Sequence, residues 1–172
     1  MNEEVIESGE TGLPPVRVLF VCMGNICRSP TAHGVFASLV ENGGLAEYIE
    51  VDSCGTGGWH VGEPPDSRAT AEAGARGYDL SPLRARQLRA ADFRDFDYIL
   101  AMDEANLAEL RALRPPAFAG HLGLFLEFAP QRREREVPDP YYGGDAGFAR
   151  VLDMVEEASE GLLREIQRAR AG

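Results

Sequence analysis

The stretch VRVLFVCMGNICRSP, residues 16–30, decides the fold because a strand pattern, a tight loop and a helix start follow one another directly. Residues 16–21 form a short apolar run rich in β-branched side chains, which is typical of a strand buried on both faces. Ser29 and Pro30 are the residue types favoured at a helix N-cap and in the first helical turn. This order predicts the first strand–loop–helix unit of an α/β sheet.

The same alternation continues along the rest of the chain. Further strands are predicted at residues 49–53, 98–101 and, more weakly, 122–128, and further helices at Asp66, Asp103 and about Ala146. Strands that alternate with helices form βαβ units with right-handed crossovers. We therefore predict a three-layer α/β/α fold with a four-stranded, mostly parallel, twisted sheet flanked by helices. Residues 1–15 are predicted to be a flexible acidic tail, and residues 16–172 a single domain.

Composition excludes several classes of protein. The 172 residues, 44% of them apolar, suffice for one core, and the formal net charge of −11 argues against a general nucleic-acid or anionic-membrane surface. No apolar run is long enough for membrane insertion, and the N-terminus lacks a signal-peptide pattern, so we expect a cytoplasmic protein. The odd number of cysteines, Cys22, Cys27 and Cys54, favours reduced thiols over an extracellular disulfide framework.

The loop at residues 22–28 follows the first strand, where open α/β sheets bind their ligands. Gly24 and Asn25 tolerate positive φ, so the loop can curl until successive backbone N–H groups point inward as an anion-binding nest. The following helix adds the positive end of its dipole. No lysine follows the glycine, so a nucleotide P-loop of the Gly-Lys-Ser type is excluded. The residues of this loop predicted to bind substrate or phosphate are Met23, Gly24, Asn25, Ile26, Cys27 and Ser29.

Cys22 at the entrance of this loop is the predicted nucleophile. A free thiol is only a few per cent ionised at neutral pH, but inward N–H groups, a helix N-terminus and a guanidinium all favour the thiolate. Arg28 has the planar fork that holds two phosphoryl oxygens, and Ser29 can hydrogen-bond the thiolate. A lone cysteine at a strand end is usually only a small buried hydrophobe, but the combined pattern favours catalysis.

The motif C-x5-R-S within VCMGNICRSP, residues 21–30, resembles that of the low-molecular-weight protein tyrosine phosphatases. The resemblance extends from about residue 16 to the C-terminal helix, and implies that residues 16–172 are a phosphatase catalytic domain. The other main group of tyrosine phosphatases has a histidine before the cysteine, where this chain has Val21. The resemblance also implies a phosphotyrosine-containing protein as substrate, with a cognate tyrosine kinase as a further partner, and neither cofactor nor metal.

The same resemblance implies a catalytic acid in a downstream Asp-Pro loop, which PDPYYGG, residues 138–144, matches. Asp139 lies between two prolines on a stiff loop, which suits a general acid for the departing oxygen and then a general base for water. Tyr141 and Tyr142 are predicted to form an aromatic wall. Trp59, in a segment that resembles the family's variable loop, is predicted to lie against the substrate ring from the opposite side.

One position departs from the family's pattern. In the segment SPLRARQL, residues 81–88, Leu83 stands where the family commonly has a histidine that supports the asparagine of the phosphate loop. Leucine cannot form a hydrogen bond with Asn25, so we expect Ser53 to support the loop instead, as the corresponding serine does in the family. Two cysteines, Cys22 and Cys27, share the loop, and the family joins such a pair reversibly on oxidation.

Several alternative functions stay open. Arsenate reductases of this fold need two further downstream cysteines, and none follows Cys54. Protein arginine phosphatases carry a threonine at the position of Ile26, where an apolar side chain favours a flat phenyl ring. A non-enzymatic phosphate-binding or redox-sensing module is a third reading. A zinc site is not indicated, because His33, His60 and His121 show no ligand spacing.

Overall fold

The computed structural model describes residues 13–140 and 145–171. In chain order, its elements are β1 Val16–Cys22, α1 Arg28–Asn42, β2 Ile49–Gly55, α2 Ser67–Ala75, α3 Asp92–Asp95, β3 Tyr98–Ala101, α4 Glu104–Leu113, β4 His121–Leu124, a 3-10 helix Phe125–Phe128, and α5 Asp145–Ala171.

The four strands form one parallel sheet in the order β2-β1-β3-β4, with β1 hydrogen-bonded on both edges. Alternate residues of β1 face opposite layers. Val18 and Phe20 pack in a core cluster with α1, α2 and α5, whereas Leu19 and Val21 pack in a second cluster with α3 and α4. All four side chains are fully buried. The predicted α/β/α fold and the strand buried on both faces are confirmed.

Two of the predicted helix starts are confirmed at their capping residues. The Asp66 carboxylate accepts hydrogen bonds from the backbone N–H groups of Arg68 and Ala69, and so begins α2. The Asp103 carboxylate accepts from the N–H of Asn106 and begins α4. Each aspartate satisfies donors that the first helical turn leaves without an intrahelical partner.

Two local predictions are wrong. The predicted strand at 122–128 ends at Leu124, and the apolar run continues as a 3-10 helix whose Phe125 and Leu126 are buried. A continuous apolar run does not distinguish a buried strand from a buried helical turn, because both present apolar side chains on every face. Ser29 is not the N-cap of α1: the cap is Cys27, two residues earlier, and it makes no side-chain capping bond.

Residues 1–12 lie outside the described part of the chain, so the predicted flexible tail stays a prediction there. At its end, the Pro14 carbonyl accepts a hydrogen bond from the Arg170 guanidinium of α5 at 3.2 Å. Between residues 13 and 140 and between 145 and 171, no helix is both long enough and apolar enough to span a bilayer.

Candidate active site

A cavity of about 190 Å³ opens where the loop after β1 meets the N-terminus of α1. This is the carboxyl edge of the sheet, where parallel strands leave their following loops free to bind ligands. Predicted site residues surround it, together with one residue that was not predicted, His60. The lining residues are Cys22, Met23, Gly24, Ile26, Cys27, Arg28, His60 and Asp139.

Asn25 shapes the loop from behind the cavity. Its φ of +58° is the only positive φ of a non-glycine residue among the described residues. The amide Nδ2 donates to Ser29 Oγ at 2.8 Å and to Ser53 Oγ at 3.2 Å, and Oδ1 accepts from the backbone N–H of Arg86 at 3.0 Å. Both amide hydrogens and the amide oxygen are therefore used, which holds a left-handed backbone that most side chains disfavour.

The Cys22 sulfur lies at the floor of this loop and is nearly buried. Its Sγ accepts a hydrogen bond from the backbone N–H of Asn25 at 3.3 Å and lies 3.0 Å from Ser29 Oγ. Ser29 lies within the first turn of α1, so its hydroxyl faces the sulfur instead of capping the helix. Donors that converge on a sulfur stabilise its anionic form, which is the nucleophilic one.

Gly55 at the end of β2 allows this loop to pack tightly. A Cβ at Gly55 would lie 2.6 Å from the Met23 carbonyl oxygen, which is closer than real Cβ atoms approach backbone. Two hydrogen bonds close the same contact, from the N–H of Thr56 to the Cys22 carbonyl and from the N–H of Gly57 to the Met23 carbonyl. Gly55 was not predicted from the sequence, because its contact with the loop after β1 forms only when β2 lies beside β1.

Arg28 is held in place by groups distant in sequence. Its side chain is only 4% exposed. The guanidinium donates to Asp103 Oδ2 at 2.8 Å and to the Val137 carbonyl at 3.0 Å. The role of Asp103 was missed, although its position two residues after β3, at the carboxyl edge of the sheet, is a signal that could have indicated it.

We expect the Asp103→Asn variant to lower kcat/KM for p-nitrophenyl phosphate about 10-fold, because the ion pair with Arg28 becomes a weaker hydrogen bond to a neutral amide oxygen. Asparagine caps a helix as well as aspartate does, so α4 should be preserved. The matched control is Asp153→Asn, which weakens the exposed 2.9 Å ion pair of Arg76. Initial rates should separate the two variants, and equal activity of both would contradict the role of Asp103.

Asp139 lies at the mouth of the cavity, with 36% of its side chain exposed. One of its carboxylate oxygens is 3.9 Å from an Arg28 nitrogen. Val137, two residues before Asp139, anchors the loop, since its N–H donates to the Met102 carbonyl at 2.8 Å. The carboxylate therefore reaches both the cavity and solvent. Tyr141 and Tyr142, the predicted aromatic wall, lie outside the described residues.

Cys27 differs from Cys22 in its electrostatic surroundings. Burial, with a smaller contribution from the nearby Asp66 carboxylate, raises the pKa of its thiol to about 12. Burial also raises the pKa of Cys54. These two thiols therefore stay protonated at neutral pH, and neither suits the nucleophile that attacks a phosphate ester. All three cysteines are free.

His60, and not its neighbour Trp59, forms one wall of the cavity. The His60 ring lies over Gly24, where a Cβ would come within 3.0 Å of its Cδ2, and its Nδ1 is 2.8 Å from Glu63 Oε1. Trp59 is 69% exposed, packs its ring on Gly57 and does not line the cavity. Contact between Trp59 and a substrate stays a prediction, whereas His60 was missed because a lone histidine carries no motif.

Comparison with known proteins identifies the family. The model of the low molecular weight phosphotyrosine protein phosphatases matches residues 17–171. A low molecular weight protein-tyrosine-phosphatase of Streptomyces coelicolor is 46% identical over 154 residues, which cover 88% of this chain and 93% of that protein.

Solved structures agree with the sequence comparison. A protein tyrosine phosphatase of Entamoeba histolytica has a TM-score of 0.85 and 39% identity, and the match covers 90% of this chain and 99% of that one. A Drosophila arginine phosphatase has a TM-score of 0.82 and 34% identity, over 87% of this chain and 97% of that one. Taken with the geometry of the loop around Cys22, these matches show that the chain belongs to the low molecular weight phosphotyrosine protein phosphatase family.

Proposed function

We propose that this chain hydrolyses protein phosphotyrosine through a phosphocysteine intermediate, with Cys22 as nucleophile, Arg28 as phosphate clamp and Asp139 as general acid and base. The observation that carries the proposal is the placement of the Cys22 sulfur, which two hydrogen-bonding groups approach at the floor of a cavity that Arg28 and Asp139 also line. Family members are hydrolases, named protein-tyrosine-phosphatases.

In the first step, the N–H groups of residues 23–28 and the Arg28 guanidinium bind the phosphoryl oxygens. The Cys22 thiolate attacks phosphorus as the bond to the tyrosyl oxygen breaks, and Asp139 transfers its proton to that oxygen. The hydrogen bond from Ser29 stabilises the thiolate before attack. Fixed donors around the transferring group favour the transition state because their orientation changes little during the reaction.

In the second step, water attacks the phosphorus of the phosphocysteine. Asp139, now a carboxylate, takes the proton of this water, and the phosphorus–sulfur bond breaks to release phosphate and the Cys22 thiolate. The exposed position of Asp139 at the cavity mouth supports this second role, since water can reach it there. The enzyme returns to its starting state with no other reactant.

The cavity also favours a phosphate monoester whose alcohol group is aromatic over one whose alcohol group is charged or branched. Its side chains include Met23 and Ile26, which offer apolar edges to a phenyl ring. We propose that Trp59, Tyr141 and Tyr142 add ring contacts when a phosphoprotein binds, and that a cognate tyrosine kinase supplies the substrate. A cytoplasmic location, where thiols stay reduced, suits a reactive cysteine.

Oxidation is proposed as a regulator of the same site. Peroxide converts the Cys22 thiolate to a sulfenic acid, which condenses with the Cys27 thiol to give a disulfide and water. Both residues belong to one loop and line one cavity. A thiol reductant would restore the enzyme.

The experiment that tests the function compares phosphotyrosine, phosphoserine and phosphoarginine peptides and p-nitrophenyl phosphate, with EDTA present. We expect kcat/KM for phosphotyrosine to exceed that for each other peptide by at least about 10-fold, since the apolar side chain of Ile26 suits a phenyl ring and a phenol leaves more readily than the alcohol of serine. Faster hydrolysis of phosphoarginine would instead support the activity of the Drosophila relative. Loss of all activity in EDTA would contradict the metal-independent mechanism.

A further inference from the structure

We propose that His33 of α1 is a positioning residue of this site, which holds the phosphate loop through Ser53 and Asn25. The inference rests on the proposed phosphatase function. It assigns a task to a histidine that neither the motif nor the mechanism uses. His33 does not line the cavity, so its effect must pass through other side chains.

The contact that carries the proposal joins His33 to β2. The imidazole Nδ1 lies 2.9 Å from Ser53 Oγ. Ser53 Oγ accepts a hydrogen bond from Asn25 Nδ2 at 3.2 Å, and the N–H of Asn25 donates to Cys22 Sγ at 3.3 Å. A continuous series of hydrogen bonds therefore links the imidazole to the reactive sulfur.

The protonation state of His33 decides which atom donates and which accepts in this series of hydrogen bonds. Burial lowers the pKa of His33, and the nearby Arg86 lowers it too, while Asp52 opposes them. The neutral ring is therefore the form at pH 7, and its Nδ1 can accept the hydroxyl proton of Ser53 if the ring proton is on Nε2. Ser53 Oγ then keeps its lone pairs for Asn25.

This support matters because Asn25 holds a left-handed backbone conformation at φ +58°. In this chain Leu83 packs against the main core cluster and offers no hydrogen bond from its side chain. The segment around Leu83 donates one hydrogen bond to Asn25, from the backbone N–H of Arg86. The remaining side-chain partners of the Asn25 amide are Ser29 and Ser53, and His33 is the group that orients Ser53.

The test uses His33→Leu, which removes the acceptor at similar size, and His33→Asn, which retains a polar atom near the position of Nδ1 and cannot titrate near neutral pH. We expect His33→Leu to lower kcat/KM for p-nitrophenyl phosphate about 5- to 10-fold and to raise the inhibition constant of inorganic phosphate by a similar factor. His33→Asn should stay within about 2-fold of the wild type in both.

The matched control is His121→Leu, which removes a histidine from the start of β4. His121 lies at the amino end of its strand, whereas the cavity lies at the carboxyl ends of the strands. It should leave both constants within about 2-fold of the wild type. Thermal unfolding of each variant reports any loss of folded protein. Equal losses in His33→Leu and His33→Asn, or no difference between His33→Leu and His121→Leu, would overturn the proposal.

An independent readout needs no variant that might misfold. In wild-type protein with 15N-labelled histidine, we expect His33 at pH 7 to be neutral with its proton on Nε2. A proton on Nδ1 would overturn the proposed direction of the series. If the wild type hydrolysed no phosphate ester, the proposed function would fail, but the 15N spectrum and the binding of inorganic phosphate would still decide whether His33 supports the loop.

Discussion

Replacing Cys22 with serine is expected to lower kcat by at least about 10⁴-fold on every phosphate ester, while inorganic phosphate binds within about 3-fold of its wild-type affinity. The serine hydroxyl is not ionised at neutral pH and is a poor nucleophile, whereas the N–H groups of the loop and Arg28 remain in place. The loss should therefore appear in turnover and not in the binding of the product.

Steady-state hydrolysis of p-nitrophenyl phosphate measures kcat, and calorimetric titration measures the affinity for inorganic phosphate. The control is Cys54→Ala, since Cys54 is equally buried but its side chain lies in the second core cluster, away from the cavity. The control should keep kcat within about 2-fold of the wild type. A Cys22→Ser enzyme with more than a few per cent of wild-type activity would require another nucleophile.

The parts of the fold that depend on residues close together in the sequence could be predicted from it. The apolar run of β1 and the capping carboxylates of Asp66 and Asp103 act within a few positions, and each was predicted correctly. The end of β4 was not, because Phe125 and Leu126 remain buried after the backbone changes to a 3-10 helix. Local patterns indicate burial more reliably than they indicate backbone conformation.

The same distinction applies to the site. Residues 22–29 form one continuous loop and helix start, so their motif already predicted that they meet around one ligand. The partners of this loop come from distant segments: Asp103 lies 75 positions from Arg28, and Asn25 lies 61 positions from Arg86. No spacing rule connects such residues, because the contacts exist only after β1, β2 and β3 have assembled. His33, whose imidazole contacts Ser53 of β2, was missed for this reason.

Replacing Asp139 with alanine is expected to slow the hydrolysis of phosphate esters, and to slow it more the poorer the leaving group is. The proton from Asp139 matters little for p-nitrophenolate, which departs readily as an anion, but much for the more basic tyrosyl oxygen. We expect kcat/KM to fall about 10-fold for p-nitrophenyl phosphate and about 10³-fold for a phosphotyrosine peptide, within the range that general acid catalysis supplies.

The comparison must use kcat/KM, because Asp139 is proposed to act twice. Loss of the general base slows hydrolysis of the phosphocysteine, and that intermediate is the same for every substrate, so kcat would converge on one low value whatever the leaving group. In contrast, kcat/KM reports only steps up to release of the alcohol, where the acid acts. A series of substituted phenyl phosphates should therefore give a steeper dependence of kcat/KM on leaving-group pKa in Asp139→Ala than in the wild type. Equal slopes in the two enzymes would assign the acid to another residue, and leave Asp139 at most the task of activating water.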